Sequence, residues 1–442
     1  MRWMSGVMFA AMVVALGANA AEPSAIVHKP KVDLYAQPSL DAPRLATLSR
    51  NTVVRISAQQ GLWYQVVPAD GSPGYVRVDD VRVESAGAGD SDANIRILMG
   101  GKPGQGRVTE TAGVRGIDES DLRSASLNQA QLTAMIGHRA DAASAAAFAA
   151  EHGWTATAVA YSGEPKPAKQ GADTGVSPKS AAEMGSAALG AVGAVGHQLG
   201  SMFGGAAKMA PKSEAELSAE ELALGPEIAG RVLGARPLWD NPEAQQRVNR
   251  IGRWVASQTT RPELPWTFGV IDTPEVNAFA APGGFILVAR GMYEIVSSDD
   301  ELSAVLAHEI NHCVQRDHYN VIRKQELASA GKDLAMREVT LTGDAAAIAM
   351  AKRYADEYGA TIVLTSLDRD AEFRADEASQ IYVARAGMNP LALYSVFQKM
   401  AALGSASPSL EELFKTHPSL DARMDKIDKR GYGALANYTT RQ

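Results

Sequence analysis

Cysteine is almost missing from this chain: Cys313 is the only one in 442 residues. No intramolecular disulfide can form, so the fold cannot depend on one even in an oxidising compartment. Long hydrophobic runs are missing too. Nowhere do roughly 18 apolar residues follow one another, the length a membrane-crossing helix needs, and residues 213–435 are expected to be soluble. Nor is there an excess of positive charge. Lys and Arg number 43 against 50 Asp and Glu, a net charge of −7, which gives no reason to expect a nucleic-acid partner. The remainder is 46% hydrophobic and 21% charged, ordinary for a globular protein, and the length suits two or three domains.

Composition divides the chain. Residues 1–20 have Arg2, a short apolar core and an Ala18-Asn19-Ala20 end, the pattern of a secretory signal peptide. No cysteine lies near the cleavage point, so a lipoprotein is not expected. Residues 21–85 hold short alternating runs split by Pro, Gly, Asn and Asp, which predict a small all-β barrel. Residues 86–106 are Gly/Ser/Asp-rich and read as a linker. Residues 107–161 read as a small, mainly helical region without recognisable chemistry. Residues 162–212 are low in complexity, with Gly196, Gly200 and Gly204 four apart. Such spacing allows close helix packing, as in membrane helix pairs. Polar interruptions at Glu183, His197 and Gln198 favour a flexible or surface-packed segment, able to touch a membrane peripherally or fold over an active site. Residues 213–435 form the last unit. Within it, Val321 to Tyr358 reads as a long helix that Gly331 and Gly343 would interrupt.

That last unit carries the chemistry. Asp300 to Val314 reads as one helix, with apolar Leu302, Val305, Leu306, Ile310 and Val314. Inside it lies His308-Glu309-Ile310-Asn311-His312. Residues four apart share a helix face, so His308 and His312 can present two imidazoles to one Zn²⁺ while Glu309 handles a proton. The bland alternative is two histidines packed or solvated on a helix. A catalytic zinc wants three protein ligands and one open position. Downstream, Asp368 to Ser379 also reads as a helix, and Glu372 can be the third ligand. Asp376, one turn on, can accept the free ring N–H of His308 and fix its tautomer. The alternative is a solvated acidic face, with Glu377 as a competing ligand. Cys313 is one turn after Glu309 and reads first as a buried, inert thiol, second as a fourth ligand or redox switch.

Two further segments fit the same site. Asn277 opens a turn that leads into Phe285, Ile286, Leu287 and Val288, an apolar run bounded by glycines. A strand beside the helix could bind substrate backbone by strand addition, or simply be core. His417 and Arg423 lie on a loop entering the last helix. An arginine there could stabilise an oxyanion, although a surface histidine and a helix-face arginine are the plainer reading.

Asn277 to Gly284, His308 to His312, Glu372 to Asp376 and Thr416-His417-Pro418, in chain order, resemble the HtpX/BepA-type zinc metallopeptidases. That family also includes the type I CAAX prenyl proteases. The resemblance implies a mainly α (α+β) gluzincin domain with a small sheet. It also implies one Zn²⁺ per chain on His308, His312 and Glu372, with Glu309 as general base and Asp376 behind the ligands. His417 would sit on a loop able to cover the metal, and Arg423 would assist near the transition state. Residues 25–85 resemble the bacterial SH3-like domain, which implies a peptidoglycan or peptide ligand, or a structural module with none. The chain is expected to lack the C-terminal helical repeats of BepA-like members, leaving substrate choice to the cleft or the N-terminal half. The expected function is a periplasmic zinc endopeptidase acting on misfolded or unassembled envelope proteins. The alternatives are a latent protease acting as a chaperone or assembly factor, and a cell-wall-targeted binding protein. Oligomeric state has no signature in the sequence.

Overall fold

Strict alternation shapes the first unit. In the computed structural model, seven antiparallel strands run in the order β3-β2-β6-β5-β4-β1-β7. They are β1 (Ser24–Val27), β2 (Lys31–Tyr35), β3 (Arg44–Ser49), β4 (Val53–Gln60), β5 (Trp63–Pro68), β6 (Gly74–Arg77) and β7 (Val81–Val83). Val54, Ile56, Tyr64, Val66, Val76 and Val81 point inward and are buried, because side chains two apart share a sheet face. Tyr64 is core, as its place in the alternation suggests, whereas Trp63 stays half-buried and meets Tyr35 edge-on at 5.6 Å. The structure describes residues 23–69, 71–84, 97–98, 119–165, 214–321, 367–404, 407, 410, 413–414 and 417–441. Residues 1–20, expected to be a leader, nearly all of residues 86–106 and 162–212, and the Val321–Tyr358 stretch beyond its first residue lie outside the described residues.

The second unit is helical around a small sheet. Short helices α1 (Glu119–Ser124), α2 (Gln129–Gly137) and α3 (Ala142–Glu151) precede α4 (Glu214–Ala235) and α5 (Pro242–Ala256). Next come β8 (Thr267–Ile271), β9 (Ala278–Ala281), β10 (Phe285–Ala289) and α6 (Arg290–Ile295). Then follow α7 (Asp299–Gln315), α8 (Arg369–Arg385), α9 (Ala392–Leu403) and α10 (Leu420–Arg430). β10 is the middle strand, parallel to β8 and antiparallel to β9. The β9–β10 turn needs Gly283 and Gly284 at φ 73° and 87°, and a Cβ on Gly283 would lie 2.8 Å from the Glu221 carbonyl oxygen of α4.

Two amide side chains of α5 close the outer edge of β8. Asn249 bonds both backbone groups of Phe268, at 2.7 and 3.1 Å, and Gln245 both groups of Val270, at 2.8 and 2.9 Å. One helical turn separates the two amides, and two residues separate their targets, so a single helix face reads a strand edge. Burial of Phe268, Val270, Ile286 and Val288 against Val248, Ile251 and Val255 completes this layer.

α7 is buried almost throughout, from Glu301 to Val314. Ser298 caps it by accepting from Glu301 N, and Asp299, Asp300 and Glu301 occupy its first turn, where the helix dipole favours negative charge. α8 packs beside it, with Ser379 Oγ donating to the Ala304 carbonyl at 2.7 Å.

The barrel is seated on this helical unit. Leu391 and Ala402 belong to the barrel's own hydrophobic cluster. Gln398 of α9 accepts from Val83 N at 3.0 Å and donates to the carbonyls of Val78 and Val81. Gln59 of β4 donates to Ser395 Oγ at 2.9 Å, and that hydroxyl donates to Glu301 at 2.6 Å. Lys399 Nζ lies 2.6 Å from the other oxygen of Glu301, with both side chains essentially inaccessible. Burial would raise the Glu301 pKa, but the Lys399 charge and these hydrogen bonds hold it below the usual value.

Replacing Lys399 by Ala strands a buried carboxylate. The expected loss is about 3–5 kcal/mol of stability in urea unfolding. Adding Glu301→Gln, which removes the stranded charge, should leave a smaller deficit than Lys399→Ala alone.

Candidate metal centre

The helical spacing of α7 brings His308 Nε2 and His312 Nε2 to 3.2 Å, with the rings nearly perpendicular at 83°. From α8, Glu372 reaches across: Oε2 lies 3.5 Å from His308 Nε2 and Oε1 lies 3.6 Å from His312 Nε2. His417 Nε2 lies 3.5 Å from the same Oε2. Glu372 is 1% exposed, yet its Oε2 accepts no hydrogen bond. These separations are long for hydrogen bonds. They suit atoms sharing a tetrahedral Zn²⁺: two ligand atoms at ~2.1 Å from the ion lie about 3.4 Å apart. The donor set, imidazole nitrogens and one carboxylate, is also a zinc set, so the residues fit the ion. Among the described residues, His308, Glu372 and His417 form a compact possible metal-binding group. The pairwise distances put His312 in the same cluster. The structure thus brings together His308, His312 and Glu372, the residues proposed from the sequence, and sets His417 at a similar distance.

Each α7 histidine is held from behind. Asp376 Oδ1 lies 3.1 Å from His308 Nδ1, as expected from the sequence. Asp317 Oδ2 lies 2.9 Å from His312 Nδ1, and Arg374 of α8 donates to Asp317 Oδ1 at 2.8 Å. Sequence reasoning missed Asp317 and Arg374. Asp317 is five residues after His312, which on a straight helix is about 140° round from it, so no periodic signal marks it.

Two expectations need restating. For Arg423 the sequence allowed an oxyanion-stabilising group or, more plainly, a helix-face arginine, and the resemblance implied assistance near the transition state. Instead its guanidinium forks onto Asp376, with Nε at 2.9 Å, and lies 3.3 Å from His308 Nδ1, opposite the ring nitrogen that faces the cluster. It stacks 4.3 Å over Phe397 and is buried, which fixes it as a brace for Asp376. The second concerns Phe285, Ile286, Leu287 and Val288. They form the central strand, both edges of which are paired, so no chain can add there. The strand bordering the cleft is β9. Asn277, Ala278, Phe279 and Ala280 line it together with Glu309, His312, His318, Leu367, Glu372 and His417. Asn277 Oδ1 accepts from Ala278 N at 3.0 Å.

The charges follow from burial and proximity. Burial raises the Glu309 pKa, against the opposing pull of His308 and His312, and makes it a stronger base. Glu372 would also be raised by burial, but the neighbouring imidazoles of His417, His308 and His312 hold it well below the carboxylate range. Burial drives His417 down to about 3, so it is neutral and able to ligate. Burial and Arg423 pull His308 down, yet contact with the Asp376 carboxylate and the nearness of the Glu372 carboxylate carry it up to about 9. Burial raises the Cys313 thiol, whose Sγ lies 3.4 Å from the Ala281 carbonyl oxygen. It is a buried free thiol.

Residues 242–431 match peptidase family M48, and residues 30–82 match the bacterial SH3 domain. The chain is 26% identical over 212 residues to the beta-barrel assembly-enhancing protease of Yersinia pestis, covering 48% of this chain and 44% of that protein. It is 28% identical over 182 residues to the mitochondrial metalloendopeptidase OMA1 of Schizosaccharomyces pombe, 41% of this chain and 51% of the relative. It is 26% identical over 190 residues to the metalloprotease LoiP of Escherichia coli K12, 43% of this chain and 71% of the relative. The chain thus spans less than half the length of the assembly-enhancing proteases it matches. Helix α4 lies ahead of the peptidase match.

A raised His308 pKa gives metal uptake a pH dependence. Below about 9 the metal-free His308 holds a proton that the ion must displace. Apparent Zn²⁺ affinity should therefore climb by about tenfold per pH unit from pH 7 and level off near pH 9. Chelator competition across that range measures it. A flat profile would contradict the assignment.

Proposed function

We propose that this chain, a peptidase family M48 domain behind a bacterial SH3 domain, is a zinc-dependent endopeptidase of the cell envelope. Its substrates would be misfolded or unassembled envelope proteins. The observation that carries the reading is the convergence of His308, His312 and Glu372 on one point, with Glu309 beside it in the same cleft. Bound there, Zn²⁺ supplies Lewis acidity towards a substrate carbonyl and a more acidic water. Glu309 takes the proton from the attacking water and passes it to the leaving amine. Asp376 and Asp317 hold the two imidazoles by their Nδ1 atoms, leaving both Nε2 atoms for the metal. An extended substrate segment lies along β9, antiparallel or parallel, through main-chain hydrogen bonds that tolerate many sequences. The leader-like composition of residues 1–20 and the resemblance to beta-barrel assembly-enhancing proteases support the envelope setting.

One observation favours a second reading, a latent enzyme. His417 Nε2 stands 3.5 Å from Glu372 Oε2, where it would complete a closed four-ligand site and take the position needed by water. A cell-wall ligand for the barrel has less support, because Gln59, Val78, Val81 and Val83 are committed to the helical unit.

Glu309→Gln should retain zinc and lose casein cleavage by about 10²–10⁴-fold. Wild-type cleavage by that variant would overturn the general-base assignment. His417→Ala separates the two readings: a rise in kcat marks a latent enzyme, and an unchanged or lower kcat marks one that is open at rest.

A further inference from the structure

We propose that Asp317 is a positioning residue for His312, delivered by a left-handed break at Arg316 that Glu221 of α4 holds in place. The inference rests on the metal-site reading above and extends it to residues that no motif marks.

α7 stops at Gln315, Arg316 takes φ 57° and ψ 32°, and the chain is helical again from 317 to 321. Continuing α7 without the break would carry Asp317 about 140° away from His312. The break instead returns the Asp317 carboxylate to 2.9 Å from His312 Nδ1. The left-handed conformation is the usual province of Gly or Asn, and a long side chain adopts it only when its surroundings insist. Here the surroundings are specific. Arg316 Nε donates to Glu221 Oε2 at 2.6 Å and Nη2 donates to Ser218 Oγ at 3.0 Å. Glu221 is wholly buried and also takes a two-point contact from Arg261, at 3.1 and 2.7 Å. Arg261 Nη1 then donates to the Cys313 carbonyl at 2.9 Å, on the last turn of α7. One carboxylate thus fixes both the end of α7 and the residue that breaks it.

The break also ties α7 to α8. Asp317 accepts from Arg374 two residues after Glu372, so the group behind His312 is pinned to the helix that supplies the carboxylate. A hydrogen bond to the far nitrogen of a metal-binding imidazole fixes its tautomer and direction. Asp376 does this for His308, and Asp317 makes the matching contact for His312.

The test uses the full chain with Co²⁺ as probe, measuring affinity by chelator competition at fixed pH together with the visible absorption spectrum of the bound ion. Asp317→Ala should weaken Co²⁺ by about 10–100-fold and alter the spectrum, with circular dichroism unchanged. Asp317→Asn, which keeps an acceptor oxygen, should recover part of the loss. Arg316→Gly, which adopts the break without help, should lose less affinity than Arg316→Val, which cannot. Glu221→Gln should weaken binding in the same direction as Asp317→Ala. Wild-type affinity and spectrum in Asp317→Ala would overturn the positioning role and leave the metal site standing. A wild-type chain that takes up no Co²⁺ would overturn both.

Discussion

Burying an ionised carboxylate among imidazoles is the constraint on which the rest of the molecule depends. Glu372 is shut away from water, with one oxygen lacking any hydrogen bond, and such a charge is unfavourable unless opposite charge comes to it. The opposite charge must arrive at fixed points, because the groups that supply it sit on a different helix. α7 and α8 therefore cannot slide or roll against each other without losing the site. Their packing has small residues and one hydroxyl bond, Ser379 to Ala304, and each histidine is then clamped by a carboxylate behind it. Arg423 and Arg374 neutralise those two carboxylates in turn. The result is a cluster in which carboxylate, imidazole, carboxylate and guanidinium follow one another outward from the centre.

That geometry demands a fixed α7, and α7 is held at both ends. At its start, Glu301 joins Lys399 and Ser395 of α9, and through Ser395 it reaches Gln59 of the barrel. At its end, Arg261 and Arg316 converge on Glu221. The two devices are alike in kind. Each uses a single buried carboxylate: Glu301 meets one ammonium and the hydroxyls of Ser297 and Ser395, and Glu221 meets two guanidiniums. Each also recruits an element outside the matched peptidase residues, the barrel in one case and α4 in the other. The barrel is thus bonded to the helical body as part of one structure, and its β7 edge is closed by Gln398 much as another strand would close it.

The sequence made the centre legible because its chemistry is local. His308, Glu309 and His312 share one helix turn, and Glu372 and Asp376 share another, so periodicity alone places each set on a face. The barrel was legible for the same reason, with period-two alternation and turn residues between strands. What escaped were contacts created by tertiary direction. Arg316 has neither the glycine nor the asparagine that announces a left-handed turn, so the position of Asp317 was hidden. Arg423 announced a charge near the site but not its target. Its fork onto Asp376 requires α10 to cross behind His308, which no spacing encodes. The Phe285–Ala289 run was correctly read as a strand and misplaced in the sheet, since hydrophobicity on both faces signals burial without saying which neighbour lies on the cleft side.

The misplacement has a physical lesson for substrate binding. A three-stranded sheet has two outer edges, and here they are treated differently. Gln245 and Asn249 saturate the backbone of β8 with side-chain amides, which removes that edge as a template for another chain. β10 is spent on its two neighbours. β9 has no strand on its far side among the described residues, and its first three residues line the same cleft as Glu309 and Glu372. In the proposed reading, a segment added to β9 would be held by its backbone and led past the general base whatever its side chains. Selectivity would then come from which proteins present an extended, unpaired segment rather than from a pocket for one residue type. Unassembled or misfolded chains have such segments and folded ones have paired them internally, so one strand edge without a strand partner among the described residues, beside the candidate metal cluster, would suffice to sort the two.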